Sequence, residues 1–527
     1  MEKVVKFDPG FQRSAFSEAG IEEVLRLARK QVQDLYLSDD LPWVVGYSGG
    51  KDSTATLQLI WTALRELPEE QRARKPVHVI STDTLVENPV VAMWVTVSLE
   101  KMRLESHLQK MPFRPNRLTP TLEDRYWVNL IGRGYPAPRP MFRWCTSRLK
   151  INPSNRFITD VVDQNGEAIL VLGTRKQESQ ARKKVLESYE TSTRALLSRN
   201  SNAQLDRVWV YTPISNWSND DVWEYLVTEN NPWQFDNREL LNMYRGATQD
   251  NECPLVVDSS TPSCGDSRFG CFVCTLVDKD KSMQAMIKND EEKRWMLPLS
   301  EFRNRFLDVK EDWGHRDFRR MDGRLTLMGK DETNLKLVHG PYRQRYRELL
   351  LRNLLEAQEK VRASGVAGTE GFTLIELEEI EEIRRIWVKE KHELEDSVPQ
   401  IFEEATGCPY PCQDLDESRY FQSDDIALLR SVARSDDDPD DLHFELVREL
   451  LHVELKYRTA SRRAGIYQKL DDALVDGAFA NEGEAYEFAK ARRKLMKNAE
   501  VLAENLTLNA ENVWFDGLEE STDGDTA

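Results

Sequence analysis

One short segment constrains this chain more than any other: Tyr47–Ser53, which reads Tyr-Ser-Gly-Gly-Lys-Asp-Ser. An apolar run, Trp43–Val45, precedes it, and Thr54–Ile60 follows with apolar residues at helical spacing. The segment is therefore predicted to join a buried strand to the first turn of a helix. Backbone N–H groups at such a turn, aided by the helix dipole, create a binding site for phosphate.

The segment differs from the loop of enzymes that transfer a γ-phosphate. That loop needs Gly-x-x-x-x-Gly-Lys-Ser/Thr, but Val45 occupies the place of its first glycine and Asp52 follows the lysine. The pattern resembles instead the SGGxDS loop of the ATP pyrophosphatases, which hold the pyrophosphate of ATP while a substrate oxygen attacks the α-phosphorus. Ser48–Ser53 is hereafter the PP-loop. The alternative interpretation is an ordinary glycine turn with Lys51 solvated.

Length and composition restrict the class of protein. A chain of 527 residues exceeds one ordinary core, so two or three domains are expected. With 40% apolar and 31% charged residues and no apolar run that could cross a bilayer, we expect a soluble, cytoplasmic protein without membrane contact. In that reducing compartment, seven cysteines indicate metal binding or sulfur chemistry rather than disulfides.

Short apolar runs alternate with helical patterns in the first half of the chain. Val77–Ser81, Ala168–Leu172 and Val208–Tyr211 are predicted to be further strands, and the alternation favours an α/β fold with a parallel sheet. Ligands of such sheets bind beyond the carboxyl ends of the strands. Asp83 and Gly173–Arg175 follow two of these strands, so one pocket would collect them together with the PP-loop.

The character of the sequence changes several times along the chain. We expect an N-terminal helical segment over 1–40, a PP-loop domain over 41–250, a cysteine-rich cluster-binding region over 251–343, a charged helical region over 344–516 and a disordered tail over 517–527. In the helical region, Thr373–Glu376 has the pattern of a capping box. An apolar stripe from Leu377 to Trp387 follows it, and this stripe indicates internal packing rather than a partner-binding face.

A group of cysteines follows the predicted sheet. The spacing Cys271-x-x-Cys274 lets two thiolates chelate one centre, Cys264 lies close by in sequence, and Cys145 is the candidate fourth ligand. Four thiolates suit either structural zinc or an iron–sulfur cluster, and spacing does not choose between them. The alternative is a set of unrelated buried thiols. The remaining cysteines have no predicted role: Cys253, Cys408 and Cys412.

Several motifs occur in an order typical of one family. After the PP-loop come Cys145–Lys150, Gly173–Arg175 with Glu178, Ser179 and Arg182, Pro213–Ile214, Trp217 and Asp221–Trp223. This series resembles the phosphoadenosine phosphosulfate (PAPS) reductase family. The cysteine group, Thr82–Pro89 and the helical extension narrow the resemblance to the sulfurtransferase component of Dnd DNA phosphorothioation systems. The tandem Cys-Cys and redox-cysteine tail of assimilatory reductases are lacking in this sequence, which favours sulfur insertion over sulfonucleotide reduction.

The resemblance implies a fold and an activity. The fold would be α/β, a parallel-sheet adenine-nucleotide α-hydrolase-like (PP-loop) domain with a cysteine-rich insert and a helical C-terminal region. A DNA phosphate oxygen would be adenylated by ATP with Mg²⁺, pyrophosphate would leave, and sulfur would replace AMP. Lys51, Asp52 and Arg175 would be catalytic, with Asp52 as the Mg²⁺ ligand. ATP would bind Ser48, Gly49, Gly50, Lys51, Asp52, Ser53, Asp83, Gly173 and Arg175.

The resemblance also implies ligands and partners. An iron–sulfur cluster of the 4Fe–4S type would be bound by Cys145, Cys264, Cys271 and Cys274, with zinc as the alternative. DNA would be the substrate, a cysteine desulfurase the sulfur source, and other Dnd modification components the partners. Substrate binding is assigned to Arg148, Lys150, Glu178 and Arg182, whose alternative role is surface ion pairing.

The charge distribution bears on the DNA assignment. A net charge of −18 argues against strong free-standing affinity for nucleic acid, although 133–150 and 175–184 are locally basic. Two other functions are therefore kept open. One is a PAPS reductase-like or tRNA-thiolating PP-loop enzyme, and the other is a non-catalytic, ATP-sensing scaffold.

Overall fold

The computed structural model describes 14–176, 196–200, 205–247, 269–307, 310, 312–329, 331, 334–393, 395–412, 423–433, 441–458, 463–477, 479 and 481–516. The chain divides into two compact units. The first consists of Met1–Asn129, Ala137–Lys310 and Arg352–Glu379, and the second of Leu130–Pro136, Glu311–Leu351 and Ile380–Ala527. The expected disordered tail, 517–527, lies outside the described residues.

The first unit contains a six-stranded sheet in the order β3-β2-β1-β4-β6-β5. Every neighbouring pair is parallel except β5 and β6, which are antiparallel. The strands are β1 Trp43–Gly46, β2 Val77–Thr82, β3 Phe113–Leu118, β4 Ala168–Val171, β5 Ser198–Arg199 and β6 Val208–Tyr211. The predicted parallel α/β fold is confirmed, and the strands that the apolar runs predicted are present to within one residue at each end.

The central strands are buried on both faces. All residues of β4 and β6 are buried, and in β1 only the final glycine is partly exposed. Such continuous apolar strands are typical of parallel sheets covered by helices on both sides. The helices of this unit are α1 Ile21–Leu37, α2 Lys51–Arg65, α3 Glu69–Arg72, α4 Pro89–Leu108, α5 Asn152–Asn165, α6 Asn219–Thr228, α7 Asn237–Gly246, α8 Lys281–Asn289 and α9 Leu297–Phe306.

Local sequence signals set where two of these helices begin. Before α4, the Asn88 side chain accepts a hydrogen bond from Val90 N–H (3.0 Å), and Pro89 occupies the first helical position, where its missing N–H costs nothing. At α6, Ser218 and Asp221 form a complete capping box. The predicted capped helix start at Ser218 is therefore confirmed.

The described chain beyond 343 is mainly helical, as expected. Its helices are α10 Gln344–Arg362, α11 Leu377–Arg385, α12 Val398–Thr406, α13 Ser423–Ala433, α14 Leu442–Arg458, α15 Ile466–Gly477 and α16 Glu482–Asp516. The second unit also has a two-stranded antiparallel ladder, β7 Leu327–Met328 with β8 Lys336–Leu337. Buried ion pairs cross-link this unit, among them Arg384 with Asp396 (2.7 Å) and Arg347 with Glu393.

The predicted capping box at Thr373 is wrong. The Thr373 hydroxyl donates to Gly371 O (3.3 Å), and α11 begins at Leu377. Gln358 of α10 accepts the Leu374 N–H instead (2.8 Å). The Glu376 N–H, which a cap at Thr373 would have bound, donates instead to Glu379 Oε2 (3.1 Å). Leu374 therefore stays outside the helix. The apolar stripe behaves as predicted beyond Leu377, since Ile380, Ile383, Ile386 and Trp387 are buried.

None of the helices within the described residues has the length and apolar character needed to cross a membrane.

Candidate functional site

The strand order reverses at β1, which lies between β2 and β4. The PP-loop follows β1, and Gly173–Arg175 follows β4. In open α/β sheets, a crevice forms at the carboxyl ends of the strands where the order changes direction. The two segments expected to hold ATP therefore lie on either side of this crevice.

Gly49 gives the PP-loop its tight turn. Its φ is +74°, a left-handed conformation that costs other residues free energy. The loop also lies hard against α4, since a Cβ atom on Gly49 would approach Val95 Cγ2 to 2.5 Å. Gly50 has an ordinary φ of −82° and precedes the first residue of α2. The loop's shape therefore depends on Gly49 in particular.

Side-chain hydroxyls close the PP-loop on itself. Ser48 N–H donates to Ser53 Oγ (3.2 Å), which also lies 3.2 Å from Ser48 Oγ. Ser53 Oγ donates in turn to Gly50 O (3.0 Å). The Tyr244 hydroxyl from α7 accepts a long hydrogen bond from Lys51 N–H (3.4 Å). These bonds hold the backbone N–H groups at the start of α2 in one arrangement.

Three charged side chains meet at the start of α2. Arg175 Nε donates to Asp52 Oδ1 (2.6 Å), and Lys51 Nζ lies 3.2 Å from Asp52 Oδ2. Arg175 is only 4% exposed and also donates to Trp217 O (3.4 Å). Asp52 thus fixes two cations beside an anion-binding turn. This arrangement suits stabilisation of negative charge that develops on a phosphate.

Gly173 permits close packing of β4 against α2. A Cβ atom there would come within 2.7 Å of Asp52 O and 2.8 Å of Thr56 Oγ1. Any side chain would therefore push the end of β4 away from the PP-loop. Gly173 acts as a spacer in this structure, and its expected contact with ATP stays a prediction.

The segment after β2 carries Asp83 and Glu87. Asp83 accepts a hydrogen bond from Leu85 N–H (2.8 Å) and pairs with Arg117. Desolvation raises the pKa of Glu87 to about 7, against an opposing effect of Lys150. Asp83 is thus engaged in holding its own loop, and its expected role in ATP binding stays a prediction.

The cysteine-bearing turn docks onto this same segment. Phe272 N–H donates to Val86 O (3.0 Å), and Asn88 N–H donates to Gly270 O (3.2 Å), which places Cys271 beside Glu87. The Thr84 hydroxyl lies 3.4 Å from Cys271 Sγ. The cysteine turn therefore docks on the segment that follows β2, while the PP-loop follows β1, the neighbouring strand of the sheet.

Arg303 of α9 holds the other side of the cysteine turn. Its guanidinium donates to Cys274 O (2.8 Å), to Asp278 O (2.8 Å) and to Val277 O. The residue is 4% exposed, so these bonds form away from water. One buried arginine therefore fixes three carbonyl groups and sets the position of Cys274.

The thiols of Cys145, Cys271 and Cys274 share one electrostatic environment. Burial raises the pKa of the Cys145 thiol, and nearby Cys274 raises it further. Burial also raises the pKa of Cys271 to about 11, while Lys150 opposes the shift. Among the described residues, however, no three His, Cys, Asp or Glu side chains are arranged closely enough to hold a metal ion. Cys264 and Cys253 lie outside that part of the chain.

The residues assigned to substrate binding have different surroundings. Arg148 pairs with Asp124 (2.6 Å), whose other oxygen accepts from Asn152 (2.9 Å). Lys150 is exposed and lies near Glu87 and Cys271. Glu178 and Arg182 lie outside the described residues. Arg148 thus has a structural partner, and Lys150 is available to a ligand.

Sequence reasoning missed Tyr244 and Arg303. Tyr244 lies 193 positions from Lys51, and no local pattern marks it. Burial raises its pKa well above the usual range, so the hydroxyl stays a neutral hydrogen-bonding group. Arg303 resembles any basic residue in the last turn of a helix. Only the tertiary structure reveals that it binds the cysteine turn.

Parts of the chain are similar to known proteins. A 281-residue stretch is 24% identical to the uncharacterized protein MJ0066 of Methanocaldococcus jannaschii, covering 53% of this chain and 45% of that protein. The chain thus spans less than half the length of that curated relative. The solved structure of the U34-tRNA thiolase NcsA from Methanococcus maripaludis, with its 4Fe–4S cluster, matches at 14% identity and a TM-score of 0.27, over 57% of this chain and 86% of that chain. Residues 42–235 match the model of the phosphoadenosine phosphosulfate reductase domain.

Proposed function

We propose that this chain is an ATP-dependent sulfurtransferase of DNA phosphorothioation, equivalent to DndC of the Dnd system. The proposal assigns it two successive displacements at phosphorus. First, a DNA phosphate oxygen is adenylated and pyrophosphate leaves. Then sulfur replaces the adenylated oxygen and AMP leaves. A cysteine desulfurase would supply the sulfur, and other Dnd components would be its partners.

The adenylation step uses the crevice between β1 and β4. The triphosphate of ATP with Mg²⁺ binds the N–H groups of the PP-loop, with Lys51 and Arg175 beside it. A non-bridging oxygen of the DNA phosphodiester attacks the α-phosphorus, a new P–O bond forms, and the bond to pyrophosphate breaks. The two cations stabilise the charge that moves onto pyrophosphate. Asp52 keeps them in place and offers a carboxylate oxygen to Mg²⁺.

The sulfur step uses the cysteine side of the site. A hydrosulfide sulfur attacks the DNA phosphorus and the bond to the AMP oxygen breaks, which leaves a phosphorothioate, AMP and a proton. If the donor is a persulfide, a second thiol must cleave its S–S bond. Cys145, Cys271 and Cys274, together with Cys264, would hold an iron–sulfur cluster, which supplies a binding place for sulfur. Cys145, Cys271 and Cys274 are free thiols, and soft thiolates are the ligands that such clusters take.

One observation carries the proposal. The turn that bears Cys271 and Cys274 binds the loop after β2 through backbone hydrogen bonds, and the neighbouring strand β1 leads into the PP-loop. This arrangement supports the proposal that the cysteine turn and the PP-loop serve one site, because the segments that carry them follow adjacent strands. A scaffold that only senses ATP has no need of thiols beside its nucleotide crevice.

The test is mass spectrometry of nuclease-digested DNA from cells that carry the gene set. Phosphorothioate dinucleotides are expected with the wild-type chain and should be lost with Lys51→Ala and with Cys145→Ser. Cys408→Ser is the matched control, because Cys408 is an exposed thiol outside the described cysteine turn. Thiolated tRNA with unmodified DNA would overturn the DNA assignment.

A second measurement separates an enzyme from a scaffold. The purified chain should convert ATP to AMP and pyrophosphate when DNA and a sulfide source are present. Lys51→Ala should abolish that conversion. If the variant and the wild type turn over ATP equally, the assignment of the PP-loop is wrong.

A further inference from the structure

Cys145 lies at a joint in a continuous helical segment. The chain is α-helical at Trp144 and Cys145, π-helical over Thr146–Ile151, and α-helical again in α5 from Asn152. A π-helical turn is rare in proteins and is frequently found at a functional site. Relaxation of this turn to an ordinary α-helix would rotate the chain on its N-terminal side, and Cys145 with it. Whatever holds the turn therefore also sets the direction of the Cys145 thiol.

The C-terminal side of the joint is fixed to the sheet. Ile158 and Val162 of α5 belong to a buried apolar cluster that includes Ile80 of β2. The hydroxyls of Thr82, at the end of β2, and Ser154, in the first turn of α5, lie 3.0 Å apart. Helix α5 is thus anchored to the strand whose following segment binds the cysteine turn. With α5 fixed, the direction of the thiol depends on the conformation of the joint.

One buried carboxylate spans the joint. Asp124 is 9% exposed and ends a short 3₁₀ turn, Leu122–Asp124. Its Oδ1 accepts a hydrogen bond from Arg148 Nη1 within the π-helical turn (2.6 Å), and its Oδ2 accepts one from Asn152 Nδ2 at the start of α5 (2.9 Å). The bond to Arg148 joins two charged groups and is therefore the stronger of the two. Both oxygens of one side chain thus hold the joint in its π-helical form.

The segment that carries this carboxylate also holds the residue before Cys145. The Tyr126 ring stacks on Trp144, with ring centroids 5.2 Å apart and planes inclined by 23°. Both aromatic side chains are buried. The Ser147 hydroxyl donates to Trp144 O (3.1 Å) and so ties the turn to the stacked ring's backbone. The same short segment therefore holds the chain both before and after Cys145.

We propose that Asp124 is a positioning residue for Cys145, because it fixes the π-helical turn that sets the direction of the thiol. Loss of the carboxylate removes both hydrogen bonds that span the joint, so the turn can relax. Cys274 lies close enough to Cys145 to influence its ionisation, and a rotation at the joint would change the separation of the two thiols. The inference rests on the proposed function only for the use of Cys145 in sulfur transfer. The positioning itself is a property of the folded chain.

The test is the rate at which iodoacetamide alkylates each cysteine of the full-length chain, read by mass spectrometry of its peptides. Bound metal is first removed with a chelator, so that the rates report the protein alone. Asp124→Ala should raise the rate at Cys145 by about 10-fold or more, which is the shift in a local equilibrium expected for the loss of a charge-assisted hydrogen bond. The rates at Cys271 and at exposed Cys408 should stay unchanged.

Two further variants separate positioning from general loosening of the fold. Asp163→Ala is the matched control, because Asp163 also pairs with an arginine, Arg207 (2.8 Å), but near the other end of α5. Its alkylation rate at Cys145 should equal that of the wild type. Arg148→Met should raise the rate as Asp124→Ala does. Combining these two substitutions should add little, since both break the same bond.

Three results would overturn the role of Asp124. They are an unchanged rate at Cys145 in Asp124→Ala, an equal rise in Asp163→Ala, and a rise by the same factor at Cys271 and Cys145. Effects of Asp124→Ala and Arg148→Met that multiply in the double variant would also contradict it. If the DNA of cells that carry the wild-type chain contains no phosphorothioate, the proposed DNA function falls, and the alkylation rates still decide the role of Asp124.

Discussion

Substitution of Gly49 by alanine is the sharpest test of the PP-loop geometry. Gly49 combines a left-handed φ of +74° with direct contact to α4, because an added Cβ would lie 2.5 Å from Val95 Cγ2. Both features oppose a methyl group at this position. Relief of the strain requires the loop to leave the conformation that gathers its N–H groups, so ATP binding should report it.

The magnitude follows from these two costs. A non-glycine residue in the left-handed region costs about 1–2 kcal/mol. Rotation of Val95 away from its rotamer costs about 0.5–1.5 kcal/mol more. The sum is about 1.5–3.5 kcal/mol, and each 1.4 kcal/mol corresponds to a tenfold change in an equilibrium constant. Gly49→Ala should therefore weaken ATP binding by about 10- to 300-fold.

The assay is calorimetric titration of the full-length chain with ATP and Mg²⁺. The double variant with Gly49→Ala and Val95→Ala lacks the clash with Val95, so it should bind ATP about 2- to 10-fold more tightly than Gly49→Ala alone. Val95→Ala alone completes the double-mutant cycle. Gly166→Ala is the matched control for backbone strain, since Gly166 has a φ of +86° with no atom within 4 Å of an added Cβ. It should lower thermal stability without changing ATP affinity. ATP affinity of Gly49→Ala within twofold of the wild type would refute the proposed loop geometry.

Three further predictions follow from other buried groups. Arg175→Met should lower ATP turnover by about 10²–10³-fold because it removes a preorganised cation, and Arg175→Lys should retain part of the activity. Equal turnover in the wild type and both variants would contradict the role of Arg175. Arg303→Met should lower the iron and acid-labile sulfide bound per chain after anaerobic reconstitution, whereas exposed Arg305→Met should not; matched iron contents would exclude Arg303 as a positioning residue for the cysteine turn. Burial raises the pKa of Glu379 from its usual 4.5 to about 7, so the folded state binds its proton more tightly than the unfolded state. The contribution of Glu379 to the stability of the folded state is therefore fully present below pH 4.5 and is lost, by roughly 3 kcal/mol, as the pH rises to about 7. Glu379→Gln should flatten the decline in melting temperature over that pH range. An unchanged pH profile of the melting temperature would contradict this prediction.

The sequence predicted those features that depend on nearby residues. The apolar runs at Trp43, Val77 and Val208 gave strands because parallel strands buried on both faces are continuous apolar segments. The capped start at Ser218 was predictable because both partners of its capping box lie within one helical turn. The PP-loop was predictable because its glycines and hydroxyl-bearing residues are close together in the sequence.

Long-range contacts were not predictable from one sequence. At Thr373, where a capping box was expected, Gln358 on a different helix accepts the Leu374 N–H, and Glu379 accepts the Glu376 N–H that Thr373 would have bound. The ion pair of Arg148 with Asp124 (2.6 Å) was not predicted, and the assignment of Arg148 to substrate binding stays a prediction. Arg303 reaches carbonyl groups 25 to 29 residues away. In each case the partner is set by how elements pack, and no periodicity or spacing records that.

The most direct test of the account follows the oxygen that sulfur replaces. DNA with ¹⁸O in its non-bridging phosphate positions is incubated with the full-length chain, ATP, Mg²⁺ and a sulfide source for a single turnover. Adenylation of the phosphate predicts that the AMP released carries one ¹⁸O atom while the DNA gains sulfur at the same phosphate. AMP without ¹⁸O, in a reaction that still forms phosphorothioate, would contradict activation through the PP-loop as described.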